Sequence, residues 1–232
     1  MPKHIHQFEK CDKEGYERCV DCGTYHSIVP IDVKEIYEGD YWDGGLRNTP
    51  DHQFINLNET ETCGISKADK VMKYVPAGTA ALEIGCFPGA ILSKLTDAGY
   101  TDVWGIEPAY KYIPYILGKA QKAQIINGYF PEVTYESPAN YCDVIIFIDV
   151  FEHIEDYESF LEEVKRLLKP GGTAICMSPM ILEDGKTRDR DFIPEHLWIH
   201  SKSFLDEYLK SMFSTVTWDR WIEGHDMFIV TK

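Results

Sequence analysis

Residues 82–90 read LEIGCFPGA, an apolar segment followed by Gly85 and Gly89 around three other residues. The apolar segment is typical of a buried strand, and the glycines stand where the chain must turn tightly into a helix. Both glycines would also let a ligand lie against bare main chain. A plain glycine turn between a strand and a helix is the alternative interpretation of this stretch alone.

The chain on both sides of this turn alternates between strand-like and helix-like segments. We predict strands at Ala80–Ile84, Asp102–Ile106, Gln124–Ile126, Asp143–Ile148, Thr173–Met177, Thr215–Trp218 and Met227–Val230, and helices near Ala90–Ala98, Tyr110–Ala120, Tyr157–Leu168 and Ser201–Lys210. This alternation predicts an α/β fold, a doubly wound and mostly parallel seven-stranded sheet with helices on both faces. Such sheets bind ligands at the carboxyl ends of their strands, where the strand order changes direction.

An acidic residue at the end of the second predicted strand indicates a nucleoside site. Glu107 lies about twenty residues beyond the glycine turn, the offset at which a carboxylate accepts hydrogen bonds from ribose hydroxyls. A solvated acid at a strand end is the alternative. The segment Gly85–Gly89 lacks the GxGxxG spacing that brings a pyrophosphate to a helix N-terminus, which argues against a nicotinamide dehydrogenase.

Four segments in order resemble the class I S-adenosylmethionine (SAM)-dependent methyltransferases, and the resemblance runs from Ala80 to the C-terminus. They are the glycine turn at 83–89, Glu107, the strand and acidic end DVIIFIDVFEHI at 143–154, and LKPGG at 168–172, expected as the turn before the fifth strand. The resemblance implies a Rossmann-like methyltransferase fold with SAM as cofactor. It also implies cofactor-binding residues, which are Glu83, Gly85, Cys86, Phe87, Gly89, Glu107, Pro108, Tyr129, Phe130, Asp149 and Val150. Phe87 stands where many members have a glycine, and Tyr129 and Phe130 are expected beside the adenine.

Methyl transfer from a sulfonium needs alignment, together with loss of a proton when the acceptor is a hydroxyl. His153, four residues after Asp149, is one catalytic candidate because a histidine titrates near neutrality. Its alternative role is to pack or cap the following helix. His196 lies in PEHLWIHS at 194–201, which resembles the segment before the late helix of many small-molecule and sugar methyltransferases, and is a second candidate base. We expect the loop 183–196 to face the acceptor, although charged loops are often only solvated.

The first thirty residues contain a cysteine pair, Cys19 and Cys22, with the spacing of a metal knuckle. Candidates for the remaining ligands are Cys11, His26, His6 and His4, and the segment resembles small zinc-binding segments ahead of some sugar methyltransferases. We predict a structural zinc, which would order a polar segment that has too few apolar residues for its own core. Free thiols are the alternative. The predicted organisation is a zinc-binding segment at 1–30, a helical cap or linker at 31–78 with a helix from Ser66 to Tyr74, and a SAM-binding domain at 79–232.

Bulk composition limits the acceptor. The formal net charge of −15 repels phosphate backbones and anionic lipid, so we expect neither nucleic acid nor membrane as a partner. With no apolar leader at the N-terminus we expect a cytoplasmic enzyme. The sequence therefore predicts O-methylation of a small polar acceptor, such as a sugar or a secondary metabolite. N- or C-methylation on the same scaffold, or a zinc-containing binding module without catalysis, are the alternatives.

Overall fold

The structure is a computed structural model that describes residues 5–32, 34, 57–182 and 184–232. Its regular elements, in chain order, are β1 (Phe8–Lys10), β2 (Tyr16–Cys19), β3 (Tyr25–Ser27), α1 (Leu57–Val71), β4 (Ala80–Ile84), α2 (Ala90–Asp97), β5 (Asp102–Glu107), α3 (Ile113–Lys119), β6 (Gln124–Asn127), β7 (Cys142–Ile148), α4 (Tyr157–Leu167), β8 (Leu168–Pro179), β9 (Trp198–Ile199), α5 (Lys202–Met212), β10 (Thr215–Ile222) and β11 (His225–Thr231). No helix within these residues has the length and apolar character needed to span a bilayer.

Seven strands form one sheet in the order β10-β11-β8-β7-β4-β5-β6. The pairings among β4, β5, β6, β7 and β8 are parallel, whereas β11 is antiparallel to both of its neighbours, β8 and β10. The predicted seven-stranded, mostly parallel Rossmann-like sheet is confirmed. The chain leaves β4 towards β5 and later returns to the other side at β7, so the strand order changes direction between β4 and β7.

The sheet is buried on both faces, as a parallel sheet requires. Along β7, Val144 and Ile146 pack into the core on the side of α2 and α3, whereas Ile145 and Phe147 pack on the side of α4 and α5. All four side chains are fully buried. An uninterrupted apolar strand is therefore the expected sequence pattern at the centre of this sheet.

Two local predictions need correction. The helix predicted to begin at Ser66 begins at Leu57, so Ser66 lies inside α1, and the helix ends at Val71. The segment 168–172, expected as a turn, already belongs to β8, because Leu168 pairs with Cys142 ahead of a register shift between β7 and β8. The helical cap predicted at 31–78 lies partly outside the described residues, which include 31, 32, 34 and 57–78 of it.

The N-terminal segment forms a second, four-stranded sheet in the order β1-β2-β3-β9. Its last strand comes from the far end of the chain, because β3 pairs antiparallel with β9 through Tyr25 and Ile199. Tyr16 and Tyr25 are buried and pack edge-on against Phe192, at 4.9 and 5.1 Å between ring centroids. The segment thus obtains a core from the chain that follows the fifth parallel strand, a contribution that the sequence did not predict.

Candidate cofactor and acceptor site

A cavity of about 690 Å³ opens at the carboxyl ends of β4, β5 and β7, where the strand order changes direction. Its volume lies within the usual range for small-molecule sites. One half, lined by the glycine turn and Glu107, is called the cofactor half after its expected role, and the other, lined by Glu152, His153 and His196, is called the acceptor half. Asp149 also lines the cavity, so a cofactor in one half and an acceptor in the other could both bind next to it.

The glycine turn is fixed by backbone geometry that other residues tolerate poorly. Gly85 has φ +69°, and a Cβ placed on it would lie 2.5 Å from Cγ2 of Val150. Its amide N–H donates to the carbonyl of Ile106 at 2.9 Å, which ties the turn to β5. Gly89, with φ +90°, precedes the first residue of α2. A left-handed conformation and a close neighbour together explain why Gly85 has no side chain.

Glu107 joins the glycine turn to the loop after β5. Its carboxylate accepts hydrogen bonds from the amide of Phe87 at 3.2 Å and from the amide of Ala109 at 3.0 Å. Glu107 is almost fully buried, and this burial raises the pKa of its carboxyl to about 7 although the two amides act in the opposite direction. The hydroxyls of a ribose bound here could donate hydrogen bonds to the Glu107 carboxylate beside the turn.

Nine of the eleven predicted cofactor residues line the cavity. They are Glu83, Gly85, Phe87, Glu107, Pro108, Tyr129, Phe130, Asp149 and Val150. Cys86 and Gly89 are not among the lining residues. The Cys86 side chain is fully buried in the core and packs beside Gly105, where a Cβ would lie 2.6 Å from Sγ. The Cys86 side chain is therefore directed away from the cavity, which leaves only its backbone for a contact with the cofactor.

Aromatic side chains form part of the wall around the cofactor half. Phe87 packs against Tyr112, with ring centroids 4.6 Å apart, so the residue in place of a glycine is directed onto α3 and the turn before it. Phe130 is buried against Phe160 at 4.8 Å. The Tyr129 hydroxyl donates to the carbonyl of Lys34 at 3.3 Å. The predicted aromatic pair Tyr129 and Phe130 therefore flanks the cavity, with Phe130 mostly inside the core.

Asp149 follows β7 with φ +54° and forms ion pairs with residues from two distant elements. Nε2 of His225, at the start of β11, donates to its carboxylate at 2.6 Å, and the ammonium of Lys67, from α1, forms a short ion pair with it. Burial alone would raise the pKa of Asp149, but the His225 hydrogen bond and the Lys67 charge hold it well below its usual range. Lys67 also lies 4.9 Å from the Trp221 ring centroid. Sequence reasoning missed Lys67, His225 and Trp221 because no local pattern links them to Asp149.

The acceptor half contains both predicted catalytic histidines. His153 and His196 lie with ring centroids 5.0 Å apart, although they come from different loops. His153 belongs to the short 3-10 turn Phe151–His153 rather than to α4, which begins at Tyr157. Beside them lies Glu152, which is 1% exposed and accepts a hydrogen bond from the hydroxyl of Ser178 at 2.9 Å. Burial, followed by the charge of Asp149, raises the pKa of Glu152 to about 8.

The loop expected to face the acceptor does reach the cavity. Arg188, Arg190, Asp191 and Ile193 are among the lining residues. Arg188 makes two hydrogen bonds of 2.7 Å to the carboxylate of Asp191, which fixes the short turn between them. The same loop carries Phe192 into the core of the N-terminal sheet, so the acceptor side and that sheet are built on one segment.

The structure brings three of the predicted metal ligands together. His6, Cys19 and Cys22 offer ligand atoms that all lie within 4.8 Å of one another. Cys11 is placed elsewhere, because its thiol contacts the carbonyl of Tyr16 at 3.2 Å, and His26 lies 3.5 Å from the carboxylate of Glu17. His4 lies outside the described residues.

A doubly wound sheet with a glycine turn and a buried acidic residue, Glu107, at its switch point is the arrangement expected of a SAM-dependent methyltransferase. The chain belongs to the family described as "Methyltransferase domain", whose sequence model matches residues 65–224. It is similar to the ubiquinone biosynthesis O-methyltransferase of Rhodopseudomonas palustris (strain BisB18), with 25% identity over 159 residues, 64% of this chain and 62% of the relative. The chain thus spans about three fifths of the length of such curated relatives.

Solved structures show the same fold at low sequence identity. A SAM-dependent methyltransferase from Archaeoglobus fulgidus aligns with a TM-score of 0.63 and 15% identity, covering 83% of this chain and 98% of that one. A SAM-dependent methyltransferase from Aquifex aeolicus aligns with a TM-score of 0.55 and 20% identity, covering 75% and 93%. These likenesses show that the fold is shared over most of the chain.

Proposed function

We propose that this enzyme transfers the methyl group of SAM to a hydroxyl of a small polar acceptor. In that reaction the acceptor oxygen forms a bond to the methyl carbon while the carbon–sulfur bond breaks. Its electron pair stays on sulfur, which leaves as the neutral thioether of S-adenosylhomocysteine. The hydroxyl proton must also be lost. The residues Gly85, Glu107 and Asp149 would position the cofactor so that its methyl group faces the other half of the cavity.

The observation that carries this proposal is the grouping of Glu152, His153 and His196 in the acceptor half. A hydroxyl is a weak nucleophile until its proton is removed, so a hydroxyl acceptor needs nearby groups that promote this loss. A neutral amine is nucleophilic enough to attack without such groups. The name of the relatives, which describes O-methylation in ubiquinone biosynthesis, supports the same class of reaction. N- and C-methylation on this scaffold are the competing functions.

The test uses SAM with a labelled methyl carbon and three acceptor probes of similar size, namely a catechol, a monosaccharide and a primary amine. We expect the label in a methoxy group, identified by its carbon chemical shift. His153→Ala should lower turnover while SAM affinity, measured by isothermal titration, stays the same. The matched control is His26→Asn, a histidine outside the cavity. A label found on nitrogen or carbon only, or an unchanged turnover of His153→Ala, would contradict the proposal.

We also propose that His6, Cys19 and Cys22 hold a structural zinc ion. Two thiolates and an imidazole suit zinc, and their convergence within 4.8 Å fits a single ion. The zinc would fasten the N-terminal sheet to α4, because His6 also lies 3.1 Å from the hydroxyl of Tyr157. A tetrahedral site needs a fourth ligand, for which His4 is the remaining sequence candidate.

Metal analysis of the purified protein tests this second proposal. We expect one zinc ion per chain at this site, lost in Cys22→Ser and retained in Cys11→Ser, since the Cys11 thiol lies outside the cluster. A protein that contains no zinc while its N-terminal sheet remains protected from amide exchange would contradict it. Equal zinc content in both variants would do the same.

A further inference from the structure

We propose that Glu152, His153 and His196 bind a divalent transition-metal ion in the acceptor half of the cavity, where the ion would hold the acceptor oxygen. This inference rests on the proposed transfer to a hydroxyl and gives the two histidines a specific role. The three residues each offer one ligand atom, and these atoms lie within 4.8 Å of one another. Two imidazoles and one carboxylate that leave coordination positions open form a donor set suited to such ions.

The spacing fits an ion better than a direct contact. Nε2 of His196 lies 4.0 Å from Oε1 of Glu152, which is too long for a hydrogen bond. Two ligands that each lie about 2.1 Å from one ion are separated by roughly 3 to 4 Å. The residues would therefore need only small movements to bind a cation between them.

The orientation of both imidazole rings supports the same assignment. Nδ1 of His153 lies 2.7 Å from the carbonyl of Glu195, and Nδ1 of His196 lies 2.8 Å from the carbonyl of Asp191. A carbonyl accepts only from a protonated nitrogen, so each neutral ring carries its lone pair on Nε2. Metal-binding histidines are usually held in this way by a backbone carbonyl at the second nitrogen. Two histidines that share the arrangement and face one carboxylate are a stronger signal than either alone.

The carboxylate is held as firmly as the rings. Oε2 of Glu152 accepts from the Ser178 hydroxyl at 2.9 Å, while Oε1 is the atom directed towards His196. Glu152 is 1% exposed and His153 is 8% exposed, so the ligands are shielded from water on their own side of the cavity. A bound cation would lower the pKa of an acceptor hydroxyl, which promotes loss of the proton as the methyl group is transferred.

Mn²⁺ is the probe, because the carboxylate of Glu152 suits it, whereas the thiolates of the N-terminal cluster select zinc and do not compete for Mn²⁺. Binding to the zinc-loaded full chain is followed by electron paramagnetic resonance of free Mn²⁺ during titration. We expect one Mn²⁺ per wild-type chain and at least a tenfold loss of affinity in both Glu152→Gln and His196→Gln. His26→Asn should bind as the wild type does. SAM titration and circular dichroism show whether each variant is folded, and His196→Gln serves if Glu152→Gln is not.

Turnover gives the second readout. Removing Mn²⁺ with a chelator should lower methyl transfer at least tenfold, and added Mn²⁺ should restore it. Absence of Mn²⁺ binding in the wild type, or equal binding in the wild type and His196→Gln, overturns the site. Full turnover after chelation, with His153→Ala inactive, also overturns it and favours a direct proton-accepting role. Mn²⁺ bound with the expected variant pattern, but no hydroxyl probe methylated, supports the metal site and contradicts O-methylation.

Discussion

Replacing Gly85 by alanine tests the geometry of the glycine turn directly. The residue has φ +69°, and the new Cβ would lie 2.5 Å from Cγ2 of Val150. The left-handed backbone costs an alanine about 1 to 2 kcal/mol, and forcing a methyl group into a packed site costs about 1 to 3 kcal/mol. We therefore expect the free energy of unfolding to fall by about 2 to 5 kcal/mol. SAM affinity should fall as well, because Val150 adjoins Asp149 on the cavity wall.

Two further variants separate the backbone cost from the contact. Gly99 has φ +96°, but no described atom lies within 4 Å of the position that its Cβ would take, so Gly99→Ala should lose only about 1 to 2 kcal/mol and keep its SAM affinity. Adding Val150→Ala to Gly85→Ala removes the opposing methyl group and should recover about 1 to 3 kcal/mol. Urea unfolding followed by tryptophan fluorescence gives the stabilities, and isothermal titration gives the affinities. A Gly85→Ala enzyme that loses no more stability than Gly99→Ala, or a double variant in which Val150→Ala restores no stability, would refute the expected clash.

Three further outcomes follow from the ionisable groups and from one helix cap. SAM affinity should weaken about tenfold per pH unit as pH falls below about 7. Burial raises the pKa of Glu107 to about 7, and protonation of its carboxylate removes a hydrogen-bond acceptor for the ribose. A SAM affinity that stays constant in titrations between pH 5.5 and 8 would contradict this. Lys67→Met should lower the free energy of unfolding at pH 7 by about 1 to 3 kcal/mol, because the charged Asp149 would lose one of its cationic neighbours. Urea unfolding measures this change, and a loss of less than about 0.3 kcal/mol would refute it. Asp156→Ala should cost about 1 kcal/mol in the same measurement without changing SAM affinity, because Asp156 caps α4 by accepting from the amide of Ser159 at 3.0 Å.

The central sheet could be predicted because each parallel strand contains its own signal. The run Val144–Phe147 is apolar at every position, as a strand covered on both faces must be. The strands of the N-terminal sheet gave no such signal, since they are three or four residues long and contain at most two buried residues each. In the pairing of β3 with β9, Tyr25 and Ile199 lie more than 170 positions apart in the sequence. Only the folded chain brings these two strands together.

The cofactor half of the site was predictable for a similar reason. Gly85, Glu107 and Asp149 each end a strand that the sequence shows, and parallel strands bring their carboxyl ends to one edge. Lys67 and His225 could not be placed in this way. His225 reaches Asp149 because β11, the last strand of the chain, inserts antiparallel beside β8. The neighbours of a strand end depend on strand order, which hydrophobic patterns do not specify.

The shared N-terminal sheet has a practical consequence for any attempt to shorten this enzyme to its SAM-binding domain. Removing β1–β3 would leave the backbone of β9 as a bare edge and strip the partner rings from Phe192. Bare edges recruit strands from other molecules, so the shortened protein should self-associate. The loop that carries His196 would also lose the Tyr16 hydroxyl, which donates to the carbonyls of Ile193 and His196 at 2.7 Å each. Trimming the N-terminus would thus disturb the loop that lines the acceptor half of the cavity.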